Sequence, residues 1–255
     1  MLMEMKDCLP PQTAVGSVVS STGFFFEAMQ LLPQDTPLFG FQRVPFISRT
    51  IEYGRRARLM GYKESLSMAV ERCDNPEALR RSMEQLLATP VHLLNSYYEV
   101  SLSNSNPLLH PARLYSLWNE WNTDVVYPRI PLFYEEWTVE AAELYIVMDQ
   151  ELQQLLDCLP VGKGSIPTVL DYYECTDAVS LAEKLRSIEA FKGIVAPMKA
   201  VGGGFIPDFQ SRYFVEDFPY GLSIVERLAR KNSIATPIIS KVCQWGMSVI
   251  NQKSA

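Results

Sequence analysis

Asn104-Ser105-Asn106-Pro107-Leu108-Leu109-His110-Pro111 lies just past the point, near Asn95, where this sequence changes character. Short β-branched and aromatic runs precede that point, and long amphipathic segments follow it. Asn106 followed by Pro107 reads as a helix N-cap with proline at the first helical position. On that helix Asn106 and His110 are four residues apart, so their side chains share a face. Pro111 has no N–H to give to the Pro107 carbonyl, which loosens the first turn where the imidazole emerges. Imidazole is well suited to moving protons near neutral pH. His110 is one of two histidines, and the other, His92, sits in the apolar run Val91-His92-Leu93-Leu94. Taken alone, these residues favour a packed or solvated histidine over a proton-transfer site.

Upstream, residues 1–6 read as a short helix end and 9–11 as a loop. Residues 13–20 (TAVGSVVS) form a β-branched run that predicts a buried strand. Ser20-Ser21-Thr22-Gly23 closes it, and 24–32 predicts a helix stopped at Pro33. A strand, a small polar turn and a helix N-terminus make a natural edge for an anion or cofactor. Residues 36–46 predict a second strand with a polar exit at Gln42-Arg43. Residues 56–62 and 65–70 predict a strand pair with Gly61 near the turn, and 71–75 a loop. Asn75-Pro76 opens a helix over 76–87, Pro90 stops the chain, and 91–94 is another short strand. This pattern is α/β. No G-x-G-x-x-G dinucleotide fingerprint occurs. Gly202-Gly203-Gly204 is the lone glycine cluster, and before Phe205-Ile206-Pro207 it reads as a mobile turn.

Downstream the texture is helical. Helices are predicted over 96–104, 107–122, 138–156, 177–191, 218–231 and 237–251, with loops at 128–131 and 159–167. Leu144, Val147, Met148, Leu152 and Leu155 recur at helical spacing in the longest of them. Few strands are expected after residue 95. Residues 208–221 (DFQSRYFVEDFPYG) are chemically dense, with Arg212, Glu216 and Asp217 close together before a helix. Arginine offers a two-pronged fork for a carboxylate, and an aspartate can orient a histidine. A surface ion cluster leading into a helix cap fits the same residues.

The formal charge of -6 and a pI near 5.1 argue against nucleic acid and an anionic membrane surface as partners. Five cysteines, widely spaced and without a CxxC, together with two histidines cannot complete a usual zinc set. No metal is expected, and reduced cysteines in a cytoplasmic protein are. Neither a signal peptide nor a run of eighteen apolar residues is visible, so no membrane span is expected.

The segment N-P-L-L-H-P at 106–111, followed by S-R-Y-F-V-E-D-F-P-Y-G-L at 211–222, resembles the octopine/nopaline dehydrogenases, the opine dehydrogenase family. The likeness extends upstream to Ser20-Ser21-Thr22-Gly23-Phe24, Phe41-Gln42-Arg43-Val44-Pro45-Phe46, Arg49 and Glu52-Tyr53-Gly54. It implies an α/β part followed by an all-α part. Residues 1–95 would be the later portion of a Rossmann-like NAD(P)-binding domain. Residues 96–255 would be a helical substrate and dimerisation domain. The family joins the amino group of an amino acid to a 2-keto acid and reduces the imine with NADH or NADPH. Carried over by motif, His110 would be the general acid/base and Asp217 would orient and charge-support it. Arg212 would bind a substrate carboxylate, and Asn106 would position substrate. Ser21 and Arg43 would lie near keto acid and nicotinamide, and Ser21 and Thr22 against cofactor. Arg43 stands where a smaller polar residue is expected. The partners implied are an amino acid, a 2-keto acid and a second copy in a homodimer. In the family the glycine fingerprint precedes the point where this sequence begins, so a late start, a fragment or a second polypeptide is expected. Two other readings fit: a non-catalytic helical binding or dimerisation module, and a dehydrogenase of a single 2-keto or 2-hydroxy acid.

Overall fold

The computed structural model describes residues 2–10 and 13–251. Met1 and Pro11, at the edges of the expected N-terminal helix end and loop, lie outside the described residues. The chain divides into two compact units, Met1–Asn104 with Pro160–Ile166, and Ser105–Leu159 with Pro167–Ala255.

The first unit opens with α1 (Leu2–Met5) and a 3-10 turn at Lys6–Cys8. It continues through β1 (Val15–Ser17), α2 (Phe24–Leu31), β2 (Leu38–Phe41), β3 (Phe46–Glu52), β4 (Arg56–Tyr62), β5 (Leu66–Glu71), α3 (Pro76–Leu87), β6 (Val91–Leu93) and α4 (Tyr97–Ser101). Four strands form one sheet in the order β1-β2-β5-β6. β1 and β2 are parallel, β2 and β5 antiparallel, and β5 and β6 parallel. Phe25 and Ala28 of α2 pack with Leu38, Ala69 and Val100 in one core cluster, and Phe41, Leu66, Met68 and Val91 make another. α3 forms as read, with the Asn75 side chain accepting from the Ala78 N–H.

Two strand expectations are corrected. The run 36–46 is not one strand: β2 ends at Phe41, and Phe46 begins a separate hairpin. β4 pairs with β3 and not with the 65–70 run, and the hairpin turns around Gly54 at φ 71°, not near Gly61. The physical reason is burial. Every residue of β3 and β4 is exposed, whereas β5 buries Leu66, Met68 and Ala69 inside the sheet. Glu99 closes this unit. It completes a capping box with Ser96, and its other oxygen accepts the Gly162 N–H at 2.9 Å, drawing 160–166 into the unit.

The second unit contains α5 (Asn106–Trp118), α6 (Val139–Leu156), α7 (Val169–Tyr173), α8 (Ala178–Ser187) and a 3-10 turn at Glu189–Phe191. Then follow β7 (Met198–Val201), β8 (Gly204–Pro207), α9 (Arg212–Val215), a π-helical turn (Phe218–Leu222), α10 (Ser223–Lys231) and α11 (Pro237–Asn251). α6 is central. It buries Ala141, Tyr145, Met148, Leu152 and Leu155, so the apolar stripe is turned from the expected one, leaving Leu144 half-buried and Val147 39% exposed. Its two buried acids act as caps: Asp149 accepts from Val169 N–H, and Glu151 from Ile238 and Ile239 N–H at the start of α11. The glycine run is the turn of a β7–β8 hairpin, with Gly203 and Gly204 at φ 94° and 154°. α7 was not foreseen, α5 ends four residues early, and the helix over 177–191 breaks at an extended Ile188.

Among the described residues no helix is long and apolar enough to cross a membrane.

Candidate active site

α5 delivers His110 from its first turns. The helix starts one residue earlier than the Asn106 cap reading. The Ser105 carbonyl accepts from the Leu108 and Leu109 N–H groups, so Asn106 is already helical and Pro107 stands second. The imidazole is 8% exposed and packs edge-on against Phe133 and Tyr213.

Asp217 comes from the other dense segment. Leu222 N–H bonds to the Asp217 carbonyl at 2.8 Å, a five-residue span that widens the backbone into the π-helical turn. Gly221 lets this turn approach α5, because a Cβ there would lie 2.9 Å from Pro107 Cγ. That contact sets Asp217 beside His110, and Asp217 Oδ2 lies 2.7 Å from His110 Nδ1. An ionised carboxylate only accepts, so Nδ1 carries the proton.

The other ring nitrogen also has a partner. His110 Nε2 is 2.9 Å from the Tyr134 hydroxyl. Tyr134 is 4% exposed, stacked on Phe191 at 4.0 Å and nearly parallel to Trp137. Burial pushes its phenol up, so the hydroxyl keeps its proton. The backbone around it is pinned by Arg113 of α5, which donates to the carbonyls of Phe133 and Glu136. Burial pulls the Arg113 guanidinium down to about 10, against the opposing charge of Glu136.

A cavity of about 260 Å³ opens here, lined by Asn106, His110, Arg212, Tyr213, Glu216 and Asp217. Arg212 is exposed, and its fork is closed on Glu216 by bonds of 2.9 and 3.0 Å. The pair holds the Arg212 guanidinium up and the Glu216 carboxyl down. The cavity thus offers a dyad for proton transfer, one cation fork and the polar Asn106. Among the described residues no group of three His, Cys, Asp or Glu side chains could hold a metal ion.

Four of the site residues read from the sequence, Asn106, His110, Arg212 and Asp217, line this one cavity. The others belong to the first unit. Ser21 is exposed, whereas its neighbours Ser20 and Thr22 are 3% and 2% exposed, and their hydroxyls have no hydrogen-bond partner. Arg43 is exposed and reaches the carbonyls of Gln42 and Ser103. Tyr134, Tyr213 and Arg113 were missed. Tyr134 had one signal, the run Phe133-Tyr134-Glu135-Glu136-Trp137, which reads as ordinary core; Tyr213 lay inside the dense segment 208–221 without a role, and Arg113 carried no signal.

A family model described as NAD/NADP octopine/nopaline dehydrogenase, alpha-helical domain, matches residues 93–250. Octopine dehydrogenase of Pecten maximus is 27% identical over 250 residues, covering 92% of this chain and 62% of that protein. Tauropine dehydrogenase of Arabella iricolor is 26% identical over 280 residues, covering 99% of this chain and 68% of that protein. The structure of an octopine dehydrogenase with NADH and L-arginine superposes with a TM-score of 0.78 at 23% identity, over 98% of this chain and 66% of that one. The chain therefore spans about two thirds or slightly less of the length of the relatives it matches.

Proposed function

The chain belongs to the octopine/nopaline dehydrogenase family, and from that premise we propose that it serves an NAD(P)-dependent opine dehydrogenase reaction, the reductive joining of an amino acid to a 2-keto acid. The observation that carries this reading is the 2.7 Å His110–Asp217 pair on a cavity that also holds Arg212 and Asn106.

The overall reaction consumes one amine, one keto acid, one hydride and one proton, and releases one water. His110 in its charged form supplies one proton to the keto oxygen and the attacking amine supplies the second, so the oxygen leaves as water when the carbon–nitrogen double bond forms as an iminium. Asp217 holds Nδ1–H throughout, so the proton exchanged is the one on Nε2, which leaves its Tyr134 partner for the substrate oxygen during the transfer. The carboxylate stabilises the imidazolium and fixes the ring. Arg212 takes a carboxylate of the substrate by exchanging its Glu216 partner, since a guanidinium fork fits either carboxylate equally. Asn106, one helical turn before His110, hydrogen-bonds substrate beside the ring.

When bound, the nicotinamide supplies the hydride. The first unit fits its polar edge: Ser20 and Thr22 keep buried hydroxyls without a protein partner just before α2, where Gly23 provides no side-chain cap. Ser21 and Thr22 would hold the cofactor, and Ser21 and Arg43 the keto acid. A homodimer and a cytoplasmic location complete the proposal, tested by sedimentation and cell fractionation.

The test is NAD(P)H consumption in the presence of either substrate alone or both. Turnover that needs both supports the reading, and turnover with the keto acid alone replaces it by a simple keto-acid reductase. His110→Gln should fold normally and lose about 10²–10⁴ in kcat. Unchanged turnover in that variant would sink the assignment.

A further inference from the structure

We propose that Tyr134 is a positioning residue that tethers Nε2 of His110, making a Tyr134–His110–Asp217 chain in which the ring is held at both nitrogens. The proposal rests on the proton-transfer role of His110 given above.

The geometry is asymmetric. Asp217 accepts at one nitrogen and has nothing to donate, which leaves Nε2 unprotonated in the neutral ring. A bare buried acceptor would be left without the hydrogen bond that water gives it in the unfolded chain. The Tyr134 hydroxyl meets it at 2.9 Å and donates. In the charged ring Nε2–H donates instead, and the same hydroxyl rotates to accept. Tyr134 can therefore hold the imidazole in one place in both protonation states of the resting site, before substrate takes its place at Nε2, as a residue that only donates or only accepts could not.

Three features suit Tyr134 to this role. It is 4% exposed and does not line the cavity, so it acts through the ring rather than on substrate. Its aromatic ring is fixed by Phe191 and Trp137. Its backbone is fixed by Arg113, itself 2% exposed, through the carbonyls of Phe133 and Glu136. The same buried guanidinium lies 5.7 Å over the Trp137 ring. A full charge is thus buried to hold the loop that presents one hydroxyl.

Tyr134→Phe keeps the stacked ring and removes only that hydroxyl.

The test uses this 255-residue chain, whose two histidines make ring-nitrogen NMR tractable. His92→Gln assigns the two sets of signals. At a pH where the ring is neutral, His110 should be protonated at Nδ1, with Nε2 carrying the shift of a hydrogen-bonded acceptor. In Tyr134→Phe the Nε2 signal should move toward that of a bare acceptor while Nδ1 keeps its proton. A ring protonated at Nε2, or an Nε2 signal indifferent to Tyr134→Phe, would overturn the proposal. The wild-type spectrum tests it even if the variant does not fold. The expected spectra together with full turnover in His110→Gln would leave the tether standing and sink the dehydrogenase role instead. The Nε2 signal, which plain packing of the Tyr134 ring would not move, separates a tether from packing.

Discussion

Arg113 is the residue whose removal the molecule should feel most. It is 2% exposed, carries a full charge, and spends two donors on the carbonyls of Phe133 and Glu136. Arg113→Met keeps the apolar stem and removes both donors. Two acceptors, one buried and one half-buried, then lose their partners at roughly 1–3 kcal/mol each, so a loss of about 2–6 kcal/mol is expected in urea unfolding. A change within about 0.5 kcal/mol, the range of an ordinary surface substitution, would mean that water replaces the guanidinium. The His110–Asp217 contact was legible through the family resemblance of the two motifs together, since either motif taken alone also fits a packed histidine or a surface ion cluster. Arg113 and Tyr134 were not legible. An arginine in a helix reads as solvated by default, and a tyrosine between a phenylalanine and a tryptophan reads as packing. What singles them out is a set of contacts distant in sequence, which no local pattern encodes.

The loop between α5 and α6 presents Tyr134, and its outer face is stapled by charge. Arg129 grips Glu136 with bonds of 2.7 and 2.9 Å, and the Leu132 N–H adds a third at 2.9 Å. The Arg129 hydrogen bond is the largest cause that pulls the Glu136 carboxyl down to about 2, from an ordinary 4.5. The sign follows from linkage: between those values the unfolded chain binds the proton and the folded chain does not. Glu136 therefore contributes stability fully above about pH 4.5, and the contribution fades as the pH falls toward about 2. In Glu136→Gln this part of the pH dependence should vanish, so wild type and variant should converge as melting is followed from about pH 5 down to about pH 3. Parallel curves would show that solvent screens the pair completely. Legibility among the elements divides in the same way as among the residues. α3 was readable from end to end because the Asn75 cap and Pro76 agreed, and α11 has the bounds expected of it. The partner of β4 was not, because period-two alternation marks a strand without naming its neighbour. The β7–β8 hairpin hid behind its glycines, which specify a tight turn as well as a loose one.

For the whole molecule, the order of α/β then helical units was legible as a change of texture near Asn95. The return of 160–166 to the first unit was not, since it hangs on the buried Glu99 carboxylate meeting the Gly162 N–H. The molecule-scale question is which ligands the chain binds by itself. A ligand that binds only the folded state at a hundred times its Kd stabilises by about 2.7 kcal/mol. For a chain of this length that is a rise of roughly 5–10 °C in Tm. The sequence has no G-x-G-x-x-G, yet Ser20 and Thr22 offer two partnerless buried hydroxyls. If these residues form enough of a cofactor edge, NADH or NADPH alone should raise Tm by several degrees, and Thr22→Val should reduce the rise. An amino acid with a 2-keto acid should add a further rise that His110→Gln leaves in place and that Arg212→Met abolishes, because Arg212 binds while His110 reacts. A Tm indifferent to either dinucleotide but raised by carboxylate ligands would reverse the ranking. The helical unit would then be a binding module in this chain, with the His110–Asp217 pair present but without a hydride to serve.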